Sequence, residues 1–267
     1  MDLPYNQIII IGNTDLPRKC ASVIRHHTEL MVDIWDGSLP KIEIMKHLSE
    51  ISTRTLVFSI MNKYIFPAAI VGSRYLTIVN LHHALLPKHP GRNAEAWSIY
   101  DGDLFSGITW HYVNECVDAG DIICQNSLSL SPNITSIQLL KALNQLALQS
   151  LDTIIDGVLD NTLVPYSQNA VIKDKLHLST DIPGNGIMDL NWDLQQISRF
   201  LRAMDYGILN VLGKPALYWN SDKYMWKKYK ITPIYSAKHR INIIGNTLVL
   251  QDEQLKIELY NLTKMEE

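Results

Sequence analysis

Three short apolar runs, "QIIIIG" from residue 7, "RTLVFSIM" from 54 and "LTIVNLH" from 76, constrain the fold more than any other feature of the chain. Apolar residues occupy both alternating faces of the first, the pattern of a strand covered on each side in a parallel sheet. Between the first two runs lie "RKCASVIRHH" and "PKIEIMKHLSEI", whose apolar residues recur at helical spacing. Strand and helix therefore alternate through the first 80 residues, which predicts an α/β fold with a doubly wound, Rossmann-like, mostly parallel sheet. Ligands of such sheets sit outside the carboxyl ends of the strands, so the residues that close "LTIVNLH" are expected to face a site.

Further along, "GITWHYV" and "DIICQNSLSL" read as strands. The run "TSIQLLKALNQLALQSLDTIIDGVLDN" reads as an amphipathic helix. Its stripe is Ile137, Leu140, Leu143, Ala147, Leu151, Ile154 and Val158, with Thr135 or Ser136 as cap. Proline and glycine then crowd together in "STDIPGNGIMDLNWD", and a domain boundary is expected near 185. Residues 1–185 would form the main domain. Residues 186–267 would hold a linking helix, "WDLQQISRFLRAMD", and a small β-rich C-terminal appendage with strands around the Gly-Asn turn of "GNTLVL".

Several function classes lose support at once. The turn after the first run reads "GNTDLP" rather than GxGxxG, and no GxxxxGK[ST] occurs, so dinucleotide and P-loop nucleotide binding have no motif. The formal net charge of −3 gives no general attraction to polyanions, and nucleic acid is not an expected partner. Cys20, Cys116 and Cys124 are odd in number and lack CxxC spacing, as suits reduced thiols. Without an apolar run of about 20 residues, no membrane span is expected, and the chain reads as cytoplasmic.

The stretch "NLHHALLPKHPGRN", residues 80–93, concentrates the chemistry. Alternation along a strand projects Asn80 and His82 to one face and His83 to the other. An Asn amide can steady a developing oxyanion, and a neighbouring His can donate, accept or move a proton near neutral pH. The pair suits acyl transfer if a carboxylate fixes the imidazole. "NECVDAGDII" offers both Asp118 and Asp121, although Asp-Ala-Gly-Asp is also ordinary turn chemistry. A metal reading draws on His82, His83, His89 and His111, but no HxH, HExxH or cysteine pair supports it, and no metal is expected. Lys88 and Arg92 suit a phosphate grip as well as a solvated loop.

The longer stretch "VNLHHALLPKHPGRNAEAWSIYDGDLFSGITWHYVNECVDAGDIICQ", residues 79–125, resembles the core of the formyltransferases that use 10-formyltetrahydrofolate. These include the methionyl-tRNA and glycinamide ribonucleotide enzymes. The elements fall in order: Asn-x-His closing a strand, Leu-Leu-Pro, Gly-x-x, Trp, Gly-[IV]-Thr, then Asp-x-Gly-Asp. The resemblance implies that Asn80, His82 and Asp118 are the catalytic residues. "NKYIFPAAIV" stands where the family holds the pterin, so Ile65, Phe66 and Pro67 inherit a folate-binding role, together with the loop of Asn114, Glu115, Cys116 and Val117. "DLNWDLQQISRFLRAMDYG" resembles the family's linking helix. His83, Ala84 and Pro90 depart from the usual pattern.

The reaction so implied is attack of an amine on the formyl carbon of 10-formyltetrahydrofolate, a co-substrate, with no metal needed. Charge bears on the acceptor. The appendage mixes its basic run "KYMWKKYK" with acidic residues, which disfavours tRNA. A small-molecule amine is expected, with an amino sugar on a nucleotide placed first because Lys88 and Arg92 can meet its phosphates, and Trp97 as a further acceptor-binding candidate. A carrier-bound or amino-acid amine, methionyl-tRNA, a formyl hydrolase and an idle folate-binding module are the rival readings. A homodimer through the C-terminal part is also expected.

Overall fold

A computed structural model describes residues 4–168, 174–235 and 239–265. Contacts group the chain into two compact units, the first of 1–94, 105–129 and 140–177, the second of 95–104, 130–139 and 178–267.

The first unit is built on a six-stranded sheet. Strands β1 (Gln7–Gly12), β2 (Met31–Asp36), β3 (Thr55–Ser59), β4 (Leu76–His82), β5 (Phe105–Tyr112) and β6 (Ile122–Ser129) lie in the order β2-β1-β3-β4-β5-β6. The first four run parallel, and β5 and β6 continue the sheet antiparallel. This is the mostly parallel sheet read from the sequence. Ile8 to Ile11 of β1 and Leu56 to Phe58 of β3 are buried, as expected for strands covered on both faces.

Helices α1 (Asp15–His27), α2 (Lys41–Ser49) and the short α3 (Ala68–Val71) connect the parallel strands. Ile44, Leu48 and Ile70 pack with Ile9, Ile11, Val57 and Ile78 in one cluster. Gly12 ends β1 where a Cβ would stand 1.9 Å from the Ile60 carbonyl oxygen, so the close approach of two strand ends requires glycine. Strand β2 had no counterpart in the apolar runs. It is the edge strand, and "MVDIWD" is mostly exposed.

Helix α5 (Ser136–Leu159) follows the sequence stripe closely: Leu143, Ala147, Leu151, Ile154 and Val158 are buried. At its first turn the stripe is offset, with Leu139 buried in place of Leu140 and Ile137 half-buried. The Gln138 side chain accepts from the Thr135 N–H at 3.0 Å, the reciprocal half of a capping box that makes Thr135 the cap. Ser150 takes the Trp110 indole N–H at 2.7 Å, fixing α5 to β5.

The second unit contains α4 (Ala94–Tyr100), most of it, and α6 (Leu194–Ala203), whose N-cap Asp193 accepts from the Gln196 N–H at 2.7 Å. Leu194, Ile197, Phe200 and Leu201 form the buried face of α6. Its strands are β7 (Ile187–Met188), β8 (Ala216–Trp219), β9 (Asp222–Met225), β10 (Lys228–Pro233), β11 (Arg240–Ile244), β12 (Thr247–Gln251), β13 (Leu255–Tyr260) and β14 (Thr263–Lys264). They make two four-stranded sheets, β14-β9-β8-β7 and β10-β13-β12-β11. The β-rich C-terminal part is thus present, and "KYMWKKYK" is divided between β9 and β10 of different sheets.

Candidate active site

Asn80 and His82 stand at the carboxyl end of β4, two residues apart on one face. The antiparallel register sets Asn80 opposite His111 and His82 opposite Thr109. Across that register, the Asn80 amide nitrogen lies 3.1 Å from His111 Nε2. His111 Nδ1 is 2.9 Å from the Tyr112 carbonyl oxygen, which accepts its proton. His111 Nε2 is then the lone-pair side and accepts from Asn80, which leaves Asn80 a second amide hydrogen to donate elsewhere.

Asp118 ties the group together. Its carboxylate lies 3.5 Å from His82 Nδ1 through one oxygen and 3.5 Å from His111 Nε2 through the other. The Gly91 N–H donates to it at 2.8 Å. His82 Nε2 donates to the His89 carbonyl at 2.9 Å, so the imidazole is clamped from both edges. Burial opposes the charge on Asp118, but the positive charge that His82 and His111 gain when protonated, together with the Gly91 N–H, outweighs it and holds the carboxyl well below the usual range. Burial lowers the His82 imidazole, and the Asp118 charge works against that lowering. An anionic carboxylate is thus aimed at an imidazole nitrogen free to take a proton. Asp121, the alternative carboxylate, instead accepts from the Ser167 hydroxyl and is not part of the cluster.

His83 is separated from this group by the strand's alternation. It is buried with Asn144 of α5 as its polar neighbour, and burial pushes its imidazole down to about 4.

The other predicted residues are distributed as follows. Phe66 is buried in the core cluster beside Ile9 and Val57, Ile65 is exposed, and Pro67 caps α3. Asn114 accepts from the Cys116 N–H at 2.9 Å, turning Asn114, Glu115, Cys116 and Val117 into an exposed loop that leads to Asp118. Lys88 is exposed, whereas the half-buried Arg92 donates through its guanidinium to the Lys63 carbonyl. Trp97 belongs to the second unit, where its ring meets Tyr100 edge-on at 5.9 Å. Among the described residues no group of three His, Cys, Asp or Glu is arranged to hold a metal ion, and no helix is long and apolar enough to cross a membrane. A cavity of about 500 Å³ lined by Gly184, Asn185, Trp192 and Tyr218 lies in the second unit and contains none of the clustered residues.

His111 is the residue that sequence reading missed as a site member, having weighed it only as a metal ligand. Its signal was the alternation of "GITWHYV", which places Thr109 and His111 on one face, but the register that brings that face to Asn80 depends on tertiary pairing.

Residues 38–155 match the model of the formyl transferase family. The chain is 29% identical over 156 residues to the GDP-perosamine N-formyltransferase of Brucella melitensis biotype 1, covering 55% of this chain and 59% of that protein. It is 26% identical over 164 residues to the methionyl-tRNA formyltransferase of Lachnospira eligens, covering 59% and 50%. The matches thus span about half to three fifths of these relatives' lengths. The crystal structure of an N-formyltransferase from Helicobacter canadensis, in complex with folinic acid and dTDP-3-aminofucose, superposes with a TM-score of 0.74 at 18% identity, over 97% of this chain and 99% of that one, a likeness of fold. The matched stretch, residues 38–155, contains the whole Asn80, His82, His111 and Asp118 cluster, so the segment that resembles the formyl transferase family is the one that holds the candidate site.

Proposed function

We propose that this chain transfers the formyl group of 10-formyltetrahydrofolate to the amine of a small molecule, an amino sugar carried on a nucleotide. The observation that carries the reading is the linkage of half-buried Asn80 and Asp118 with buried His111 and His82, in which every side chain is oriented by another. The acceptor amine would attack the formyl carbon and give a tetrahedral intermediate whose oxygen becomes negative. The second amide hydrogen of Asn80 is the donor for that oxygen. The ammonium proton formed on attack passes to the His82 and Asp118 pair, where Nδ1 and the carboxylate face each other. Breakage of the bond from the formyl carbon to the folate nitrogen returns a proton to that nitrogen and releases tetrahydrofolate. No step calls for a metal.

Ile65 to Pro67 and Asn114 to Val117 are the folate-holding segments in this reading, and the exposed apolar side chains of Ile65 and Val117 suit a flat ring. Lys88 and Arg92 are assigned to the acceptor's phosphates and Trp97 to its organic part. Residues 1–185 are taken as the catalytic domain and 186–267 as a linking helix and C-terminal domain able to pair two chains. The three free cysteines fit action in the cytoplasm. The GDP-perosamine acted on by the Brucella enzyme and the dTDP-3-aminofucose bound in the Helicobacter structure support an amino sugar over tRNA.

The test is direct competition. Enzyme and 10-formyltetrahydrofolate are incubated with nucleotide-linked 3- and 4-amino sugars, amino-acid and carrier-bound amines, and charged initiator tRNA, and the formylated products are identified by mass. Formylation of an amino sugar ahead of the rest is expected. Efficient formylation of the tRNA with the sugars ignored would overturn the acceptor assignment.

A further inference from the structure

Two stretches that follow α5 reach back to the loops of the first unit's cluster. In the earlier one, Tyr166 pairs with Ile122, and the Gln168 side-chain amide donates to the carbonyls of Asp118 at 2.9 Å and Gly120 at 2.7 Å. In the later one, the His177 N–H donates to the Pro90 carbonyl and the Arg92 N–H to the His177 carbonyl, each at 2.9 Å. The Asp174 carboxylate accepts from the His89 N–H at 3.1 Å.

These bonds fall where the backbone needs support. Asp118 and His89 are non-glycine residues with φ of +51° and +48°, and Gly91 has φ of +97°. Such conformations persist when surrounding structure holds them. A Cβ on Gly91 would stand 2.1 Å from the His177 carbonyl oxygen, so the later stretch lies directly against that turn. His89 supplies the carbonyl that orients His82, and Gly91 supplies the N–H that orients Asp118. The supports therefore act at one remove on both members of the pair.

We propose that Gln168 and Asp174 are positioning residues for catalysis: Gln168 fixes the backbone from which Asp118 projects, and Asp174 fixes the turn that clamps His82. This rests on the formyl-transfer reading of His82 and Asp118. Neither residue touches the reacting atoms in this account. Their contribution is to keep the Asp118 carboxylate and the His82 ring in register.

The experiment compares Gln168→Met, Asp174→Ala and Asp174→Asn in the full chain. It measures kcat per folate-binding site, KM for both substrates, and melting temperature. Methionine matches the reach of Gln168 without a donor, and asparagine at 174 retains an acceptor for the His89 N–H. Since misplacement by about 1 Å can cost ~100-fold, Gln168→Met and Asp174→Ala are expected to lower kcat per site by roughly 10- to 100-fold with KM little changed. Asp174→Asn is expected to retain most of the turnover. Unchanged kcat per site, with lost activity explained by fewer folded molecules, would overturn the inference. So would equal losses in Asp174→Asn and Asp174→Ala. Asp118→Asn is run alongside: if it retains full turnover, the underlying catalytic reading fails, whereas a dead Asp118→Asn beside a fully active Gln168→Met sinks only the positioning roles.

Discussion

Asn80 of β4 donates its side-chain amide to Nε2 of His111, 3.1 Å away on the neighbouring antiparallel strand β5. The bond decides which way the amide faces, because the His111 Nδ1 proton is committed to the Tyr112 carbonyl. Removing the acceptor frees the amide to rotate. His111→Phe is expected to lower kcat by roughly 10-fold or more, with folate affinity largely retained, while His111→Gln, which keeps a polar side chain, loses less. Equal kcat for His111→Phe and the parent would show that Asn80 needs no such support.

His82 and His83 are adjacent in sequence and on opposite faces of the sheet, so they give a matched pair of substitutions. His82→Ala and Asp118→Asn are expected to lower turnover by ~100-fold or more while folate binding persists. His83→Ala should leave turnover within a few-fold and lower the melting temperature, since it opens space beside α5. Comparable losses of turnover at 82 and 83 would contradict the division of faces.

The part of the site that was legible in the sequence is the part written locally. Asn80 and His82 share a strand, their spacing fixes their common face, and the order of elements from 79 to 125 carries the family resemblance. The parts not legible depend on chain segments meeting at a distance. His111 joins through cross-strand register, and Gln168 reaches Asp118 from 50 residues away, a relationship that no spacing encodes. The fold divides in the same way. Buried strands β1, β3 and β4 announced themselves as apolar runs, whereas edge strand β2, with Asp33 and Asp36 in a mostly exposed run, carried no such signal.

In the second unit, the Tyr206 hydroxyl donates to the Glu95 carboxylate at 2.7 Å, with both side chains buried. Burial raises the Glu95 carboxyl, and the Tyr206 hydrogen bond works against that rise. Tyr206→Phe strands a buried acceptor and is expected to cost about 1–3 kcal/mol of unfolding free energy, read by urea denaturation. A change below the error of that measurement would mean that the pair is exchangeable for an apolar contact.

His27, at the end of α1, binds Asp152 at 3.1 Å and Asp156 at 2.8 Å, one carboxylate on each ring nitrogen. Hydrogen bonds to Asp152 and Asp156 raise its imidazole above the ordinary value. The folded state therefore binds this proton more tightly than the unfolded state, whose value is about 6.5. The stabilisation is fully present below that pH and is lost as pH rises through the higher folded value. Melting curves of the parent and His27→Gln should differ at mildly acidic pH and converge at alkaline pH. A constant gap across the range would show that the contact is not one of charge.

In the proposed reaction Asn80, His82 and Asp118 promote direct transfer of a formyl group from folate to an amine. The most direct measurement mixes excess enzyme with 10-formyltetrahydrofolate, with and without a nucleotide-linked amino sugar, and follows tetrahydrofolate, formate and formylated amine in one turnover. One formylated sugar for each tetrahydrofolate formed, little formate, and loss of both products in Asp118→Asn are expected. Formate released at the same rate with or without the sugar would identify a hydrolase, and no tetrahydrofolate under any condition would identify a folate-binding protein without transfer chemistry. Either result would rule out formyl transfer to a sugar amine by these residues.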